Sequence, residues 1–141
     1  MAYCDLNDIL GQMDEADVIR HTDDADTGSV NMDAVNKAIA GADALINGHI
    51  SARYNVPLSP VPEIITSLAV DVAIYKISSR RGGAPEDVRK KFEDAIKFLD
   101  KVSAGKAFIP GAASAPTATS NDAVQITSDP RLFTRSTMRG F

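Results

Sequence analysis

Apolar residues recur at intervals of three and four along the first hundred positions of this chain, in stretches bounded by residues that stop helices. Leu6, Ile9, Leu10 and Met13 share one helical face. Asp5 is placed to cap that helix, with Asp8 in its first turn. Val18 and Ile19 continue the apolar signal after Asp14-Glu15, so residues 5–20 are expected to form one or two short helices. Thr22–Ser29 is polar without a period and predicts a loop. A long helix follows, capped by Asn31 or Asp33. Val35, Ile39, Ala42, Ile46, His49 and Arg53 step along one side of it, and Ala38, Leu45 and Ile50 broaden the stripe. Gly41 and Gly48 within it each cost about 1 kcal/mol relative to alanine, which points to close packing at those positions. Pro57, Pro60 and Pro62 then end the helical run.

Pro62 suits the first turn of the next helix. Ile64, Ile65, Leu68, Ala69, Val72, Ala73 and Ile77 make that helix apolar over most of its surface, so it is expected at the centre of the fold. Asp71 interrupts that surface. If it is buried its pKa should rise, and a lysine or arginine from another helix is its expected neighbour. Arg80-Arg81-Gly82-Gly83 closes the helix, and Pro85-Glu86-Asp87 opens another. Val88, Phe92, Ala95, Ile96, Leu99 and Val102 give this last helix a period of 3.6, and Gly105 can end it.

Beyond Gly105 the pattern changes. Residues 111–123 are small and polar, which suits a spacer. Val124-Gln125-Ile126-Thr127 alternates like a short strand. Residues 131–141 mix Arg131, Arg135 and Arg139 with Leu132, Phe133, Met138 and Phe141, and phenylalanine, methionine and arginine are enriched at protein interfaces. The predicted architecture is therefore all-α: a four- to five-helix bundle over 1–104, with an extended C-terminal interaction arm over 105–141. Val124, Ile126, Arg131, Leu132, Phe133, Arg135, Met138, Arg139 and Phe141 are the expected partner-binding residues.

Charge sharpens this division. Residues 1–33 hold nine acids against one base, a net charge of −8, whereas residues 105–141 carry +2. Such asymmetry suits complementary surfaces between copies, or solvated helix starts. The overall charge of −4 argues against a general nucleic-acid binder. No run of eighteen apolar residues occurs, so no membrane span is expected. The N-terminus lacks the pattern of a signal peptide, and Cys4 has no intrachain disulfide partner, so the chain is read as cytosolic or assembled from the cytosol. His21 and His49 belong to no HExxH or zinc pattern, and neither a Gly-x-Ser-x-Gly elbow nor a phosphate loop occurs. A calcium loop started at Asp24 fails, because Ser29 falls at the glycine position and Val35 at the glutamate position. Catalytic, cofactor and metal sites are all expected to be absent, and the chain is not expected to be an enzyme.

Several of these segments together resemble a family of Mu-like phages and prophages: the opening Met1–Leu10, the join Arg53-Tyr54-Asn55-Val56-Pro57-Leu58, the apolar helix after Pro62, the Arg80-Arg81-Gly82 break, and the ending Arg131–Arg135 through Gly140-Phe141. The resemblance covers essentially the whole chain. It implies a head–tail connector, or adaptor, in the virion neck, assembled in the host cytoplasm as a dodecameric ring. Its partners would be further copies of the chain, the portal protein and the next neck or tail protein, with genome DNA passing through the channel without specific binding. The arm would dock on the portal or on the adjacent subunit. A stopper or tail terminator is the alternative neck component, expected to be β-rich and six-membered. A small regulatory protein-binding module is a further alternative.

Overall fold

Five helices follow one another in the computed structural model, which describes residues 1–115: α1 Leu6–Leu10, α2 Glu15–Thr22, α3 Met32–Ile50, α4 Glu63–Ser78 and α5 Glu86–Ser103. The all-α expectation holds. The predicted residue 5–20 segment resolves into two helices. The first is closed at both ends: Asp8 N–H donates to Asp5 Oδ1 and Asp5 N–H to Asp8 Oδ2, each at 2.9 Å, and Gly11 caps its C-terminus. That reciprocal pair satisfies amides that a helix start otherwise leaves free. Asn31, rather than Asp33, caps α3, accepting from the amides of Asp33 and Ala34 at 3.1 and 3.2 Å.

α4 is the hub. It packs against each of the other four helices, and Ile65, Ala69, Val70, Val72, Ala73, Ile74 and Ile77 are buried around its circumference. A helix apolar on all sides belongs in the interior. α5 instead has one apolar face, with Ala95, Leu99 and Val102 buried. Its outer face carries the ion pairs Glu86–Lys90, Arg89–Glu93 and Asp94–Lys97. Phe92 stacks on Tyr75 of α4, with ring centroids 4.0 Å apart and planes 11° from parallel.

Three boundaries differ from the expectation by small amounts. α3 ends at Ile50, so Arg53 lies beyond the helical stripe. The Arg53 and Tyr54 amides both donate to the Ile50 carbonyl, which tightens the chain into a turn. Pro62 and Pro85 stand just outside α4 and α5 as extended N-cap residues. Close packing holds at Gly41, where an added Cβ would come within 3.2–3.3 Å of the Lys76 side chain. It does not hold at Gly48, which has open space beside it.

Candidate functional site

Two features of the bundle bear on function: the way the chain leaves the body after α5, and a polar cleft at the opposite end. The exit begins at Gly105, whose φ of +75° is the left-handed conformation glycine adopts without penalty. Gly105 N–H donates to Val102 O and Lys106 N–H to Lys101 O, which closes α5 with two bonds of a Schellman turn. A side chain at Gly105 would also run into the Arg53 guanidinium.

Residues 106–115, expected as the start of the extended interaction arm, lie on the body. Ile109 is 3% exposed within the core, and its amide donates to the buried Tyr54 hydroxyl at 2.9 Å. Asn55 N–H donates to Ala113 O at 3.2 Å and Ala115 N–H to Arg53 O at 2.8 Å, framing an antiparallel bridge between Tyr54 and Ser114. Beside this clamp Phe108 is 73% exposed. An aromatic ring left in water next to a fixed backbone is a candidate contact for a partner. The N-terminus is held in a similar way. Tyr3 N–H donates to Asp43 Oδ1 at 3.1 Å, and the Tyr3 hydroxyl bonds Asn47 Oδ1 while accepting from Leu58 N–H at 3.0 Å.

Val124, Ile126, Arg131, Leu132, Phe133, Arg135, Met138, Arg139 and Phe141 lie outside the described residues, as does the strand expected at 124–127. The sequence reading missed Tyr54, Ile109 and Phe108. Nothing local marks them, because the bond that joins Tyr54 to Ile109 spans 55 positions.

The cleft lies where α4 ends and α5 begins, with a volume of about 400 Å3, and α2 forms its third wall. Asp71, Ile74 and Ser78 come from α4, Val88 and Lys91 from α5, and His21 from α2. Burial raises the Asp71 carboxyl above its ordinary value, opposed by the positive charge of Lys91. Lys91 is the expected cation from another helix, yet among the described residues no cation stands within 4.0 Å of Asp71. Ser78 is 1% exposed and its hydroxyl has no hydrogen-bond partner among the described residues. The Nδ1 atom of His21 is likewise unpartnered.

Several other titratable groups have structural contacts. Burial pushes the Cys4 thiol up to about 12, and the Asp43, Asp8 and Asp5 carboxylates push it the same way, so this thiol is held protonated. His49 Nδ1 contacts Leu45 O at 2.8 Å, and its Nε2 lies 3.5 Å from Asp100. In the acidic loop, hydrogen bonding from the Thr27 backbone is the largest cause that holds the Asp23 carboxyl below its ordinary value, joined by bonds from the amides of Gly28 and Ala25 and from the Thr27 hydroxyl. Asp24 bridges Arg80 at 2.7 Å and Arg81 at 2.9 Å. Hydrogen bonding to the Arg80 guanidinium is the largest cause of the lowered Asp24 carboxyl. These aspartates shape a turn and tie it to the end of α4. Among the described residues no group of three or more His, Cys, Asp or Glu side chains could hold a metal ion, and no helix is long and apolar enough to cross a membrane.

Fold and contacts thus define a small all-α module with a clamped exit segment and a polar cleft between α2, α4 and α5. A family model described as Bacteriophage Mu, Gp36 matches residues 3–128, and the chain belongs to that family. Its relatives include Gene product J of Escherichia phage Mu, 29% identical over 145 aligned positions that take in 100% of this chain and 99% of the relative. The Mu-like prophage FluMu protein gp36 of Haemophilus influenzae is 28% identical over 107 positions, covering 76% of this chain and 74% of that one. The expected kinship with proteins of Mu-like phages is borne out.

Proposed function

We propose that this chain is a structural, non-enzymatic connector of the virion neck, forming a ring between the portal and the tail-proximal neck proteins around a channel for the genome. The observation that carries this reading is the clamped exit. Tyr54 and Arg53 fix residues 109–115 against the body, so the chain enters its last 26 residues from a defined point at Ala115. A segment launched from a rigid root meets a partner at a higher effective concentration than a loose tail. The arm continues beyond residue 115 in this reading, with Val124, Ile126, Arg131, Leu132, Phe133, Arg135, Met138, Arg139 and Phe141 as its contacts. Membership of a Mu phage family supports a virion role. Five helices, with no strand beyond one isolated bridge among the described residues, favour the adaptor over a β-rich stopper or tail terminator.

The test is mass spectrometry of purified particles, joined to capture of the chain by the portal protein. The chain should be a stoichiometric particle component, and deletion of 124–141 should abolish portal capture while leaving helical circular dichroism intact. Absence from particles refutes the reading.

A further inference from the structure

We propose that the cleft between α2, α4 and the start of α5 is a receptor for the arginine-bearing C-terminal segment, residues 131–139, of a second copy of this chain. The inference rests on the ring reading above and gives the arm a specific seat on its neighbour.

The cleft's own groups define what it lacks. Asp71 is a half-buried carboxylate without a cation in ion-pair range among the described residues, and a buried charge is tolerated when it is paired. Ser78, 1% exposed, faces the same space with its hydroxyl unpartnered, and His21 Nδ1 adds a third unsatisfied atom. Buried polar atoms in native proteins almost always have partners, so orphans sharing one cleft mark a place where an incoming group completes the bonding. The direction of the Asp71 titration agrees: burial lifts its pKa, and the charge of Lys91 offsets this without cancelling it.

A cation flanked by hydrogen-bonding groups fits this arrangement. Positions 71 and 78 are two turns apart on α4, about 10 Å, the span of roughly three extended residues. An extended strand could therefore set an arginine against Asp71 while its backbone or hydroxyl groups meet Ser78 and His21. Ile74 and Val88 would provide the apolar floor. Past residue 115 every cation of the chain is an arginine, and Thr134, Ser136 and Thr137 place hydroxyls between them. Arginine's planar set of five donors suits a carboxylate better than an ammonium does. Long-range charge points the same way, since the arm is basic and residues 1–33 carry a net −8.

Reach allows the chain's own cleft as well as a neighbour's, and it is the ring reading that favours the neighbour. The exit at Ala115 lies beside Arg53, at the end where α3 and α5 finish. The cleft is at the other end, where α4 finishes and α5 begins. An 18-residue α5 separates the two by about 27 Å. Sixteen residues lead from Ala115 to Arg131 and span up to about 55 Å, enough to leave the body and reach a copy packed beside it.

The test uses the full chain and a fluorescein-labelled peptide of residues 128–141, followed by anisotropy. Saturable binding is expected. Asp71→Asn should weaken it about tenfold, as expected for loss of a charge-assisted bond, and Ser78→Ala by a few-fold. Replacement of the three peptide arginines by glutamine should abolish it. Lys91→Gln should tighten it, since this lysine competes for Asp71, and a merely structural role for the cleft gives no such opposite sign. Circular dichroism checks that each variant is folded. Absence of binding to the wild-type chain, or equal binding by wild-type and folded Asp71→Asn proteins, overturns the proposal. A chain found in particles despite that result leaves the neck reading standing and removes the cleft. A chain absent from particles removes the neck reading whatever the peptide does.

Discussion

Replacing Tyr54 by phenylalanine deletes one oxygen atom and tests the clamp directly. In the native fold the Ile109 amide donates to that oxygen at 2.9 Å in a buried setting. The ring of Tyr54 is itself 7% exposed, so the phenyl group of the variant fills the same space and the change is one of hydrogen bonding alone. Leaving a buried donor unpaired costs about 1–3 kcal/mol. Where that energy appears depends on how the exit segment opens. Residues 106–115 are joined to the rest by Ile109, two backbone bonds to Arg53 and Asn55, and the Schellman turn at Gly105. They can therefore detach while α3, α4 and α5 stay packed. Hydrogen exchange in a peptide covering 106–115 should accelerate roughly 5- to 150-fold, which is 1–3 kcal/mol converted to an equilibrium ratio. Exchange in α3 and α4 should change little. If the segment instead opens with the whole body, Tm should fall by about 4 °C per kcal/mol for a domain of this size. Tyr3→Phe is the matched control, and should accelerate exchange most in residues 1–5 and 55–60, with a smaller effect on 106–115 passed through the shared loop. Native exchange at 106–115 together with a native Tm in Tyr54→Phe would refute the claim that this hydroxyl holds the exit in place.

Other substitutions read out neighbouring contacts. Ile109→Ala removes a core side chain and should cost about 2–5 kcal/mol, visible in urea denaturation as a lower midpoint at similar slope. Gly105→Ala places a side chain at φ +75° and against Arg53, so a loss of about 1–2 kcal/mol or more is expected by thermal melting. Asp71→Asn should raise stability at neutral pH, because burial penalises the charged form. A carboxyl whose folded pKa is raised carries that penalty above the folded pKa, and the penalty disappears as pH falls below the unfolded value near 3.8. The gain over wild type in melts should therefore vanish at pH 3. Cys4, with its thiol near 12 and its side chain buried, should resist alkylation at pH 8 in the native protein and react fully once unfolded in urea, measured by intact mass.

Helices were readable because each carries its own signal. Alternation of period 3.6 marks α3 and α5, the aspartates and Asn31 mark helix starts, and the near-continuous apolar run of α4 predicts its central place. Boundaries moved where the backbone had local alternatives. At Arg53 a tightened turn replaces the last helical residues, and at Pro62 and Pro85 a proline stands before the first helical residue instead of within the first turn. The exit clamp had no such signal. Residues 106–115 read as the start of an arm because alanine, glycine and proline carry no period, and what fixes them is a set of contacts with Arg53, Tyr54 and Asn55, far away in sequence. The cleft was half legible. Asp71 stood out as a charge on an apolar helix, whereas Ser78 and His21 became notable through the partners they lack in space.

The two tyrosines give the loop between α3 and α4 a role beyond stopping a helix. Tyr54 opens that loop and receives Ile109, while Leu58 within it donates to Tyr3. The N-terminal segment and the exit segment therefore both terminate on residues 53–58, at the end of the bundle where α3 finishes. Coupling follows: an event that shifts this loop weakens the hold on both segments, since it supplies both the Tyr54 hydroxyl that receives Ile109 and the Leu58 amide that meets Tyr3. The cleft is remote from that loop and belongs to the other end of α4. If the proposed seat for a second copy's arm is correct, such a subunit has a sending end and a receiving end on one central helix. Contact between unlike ends is heterologous, and a heterologous contact repeats into a ring where its rotation closes, and into an open filament where it does not. That is the geometric sense in which a bundle this small can specify a larger assembly.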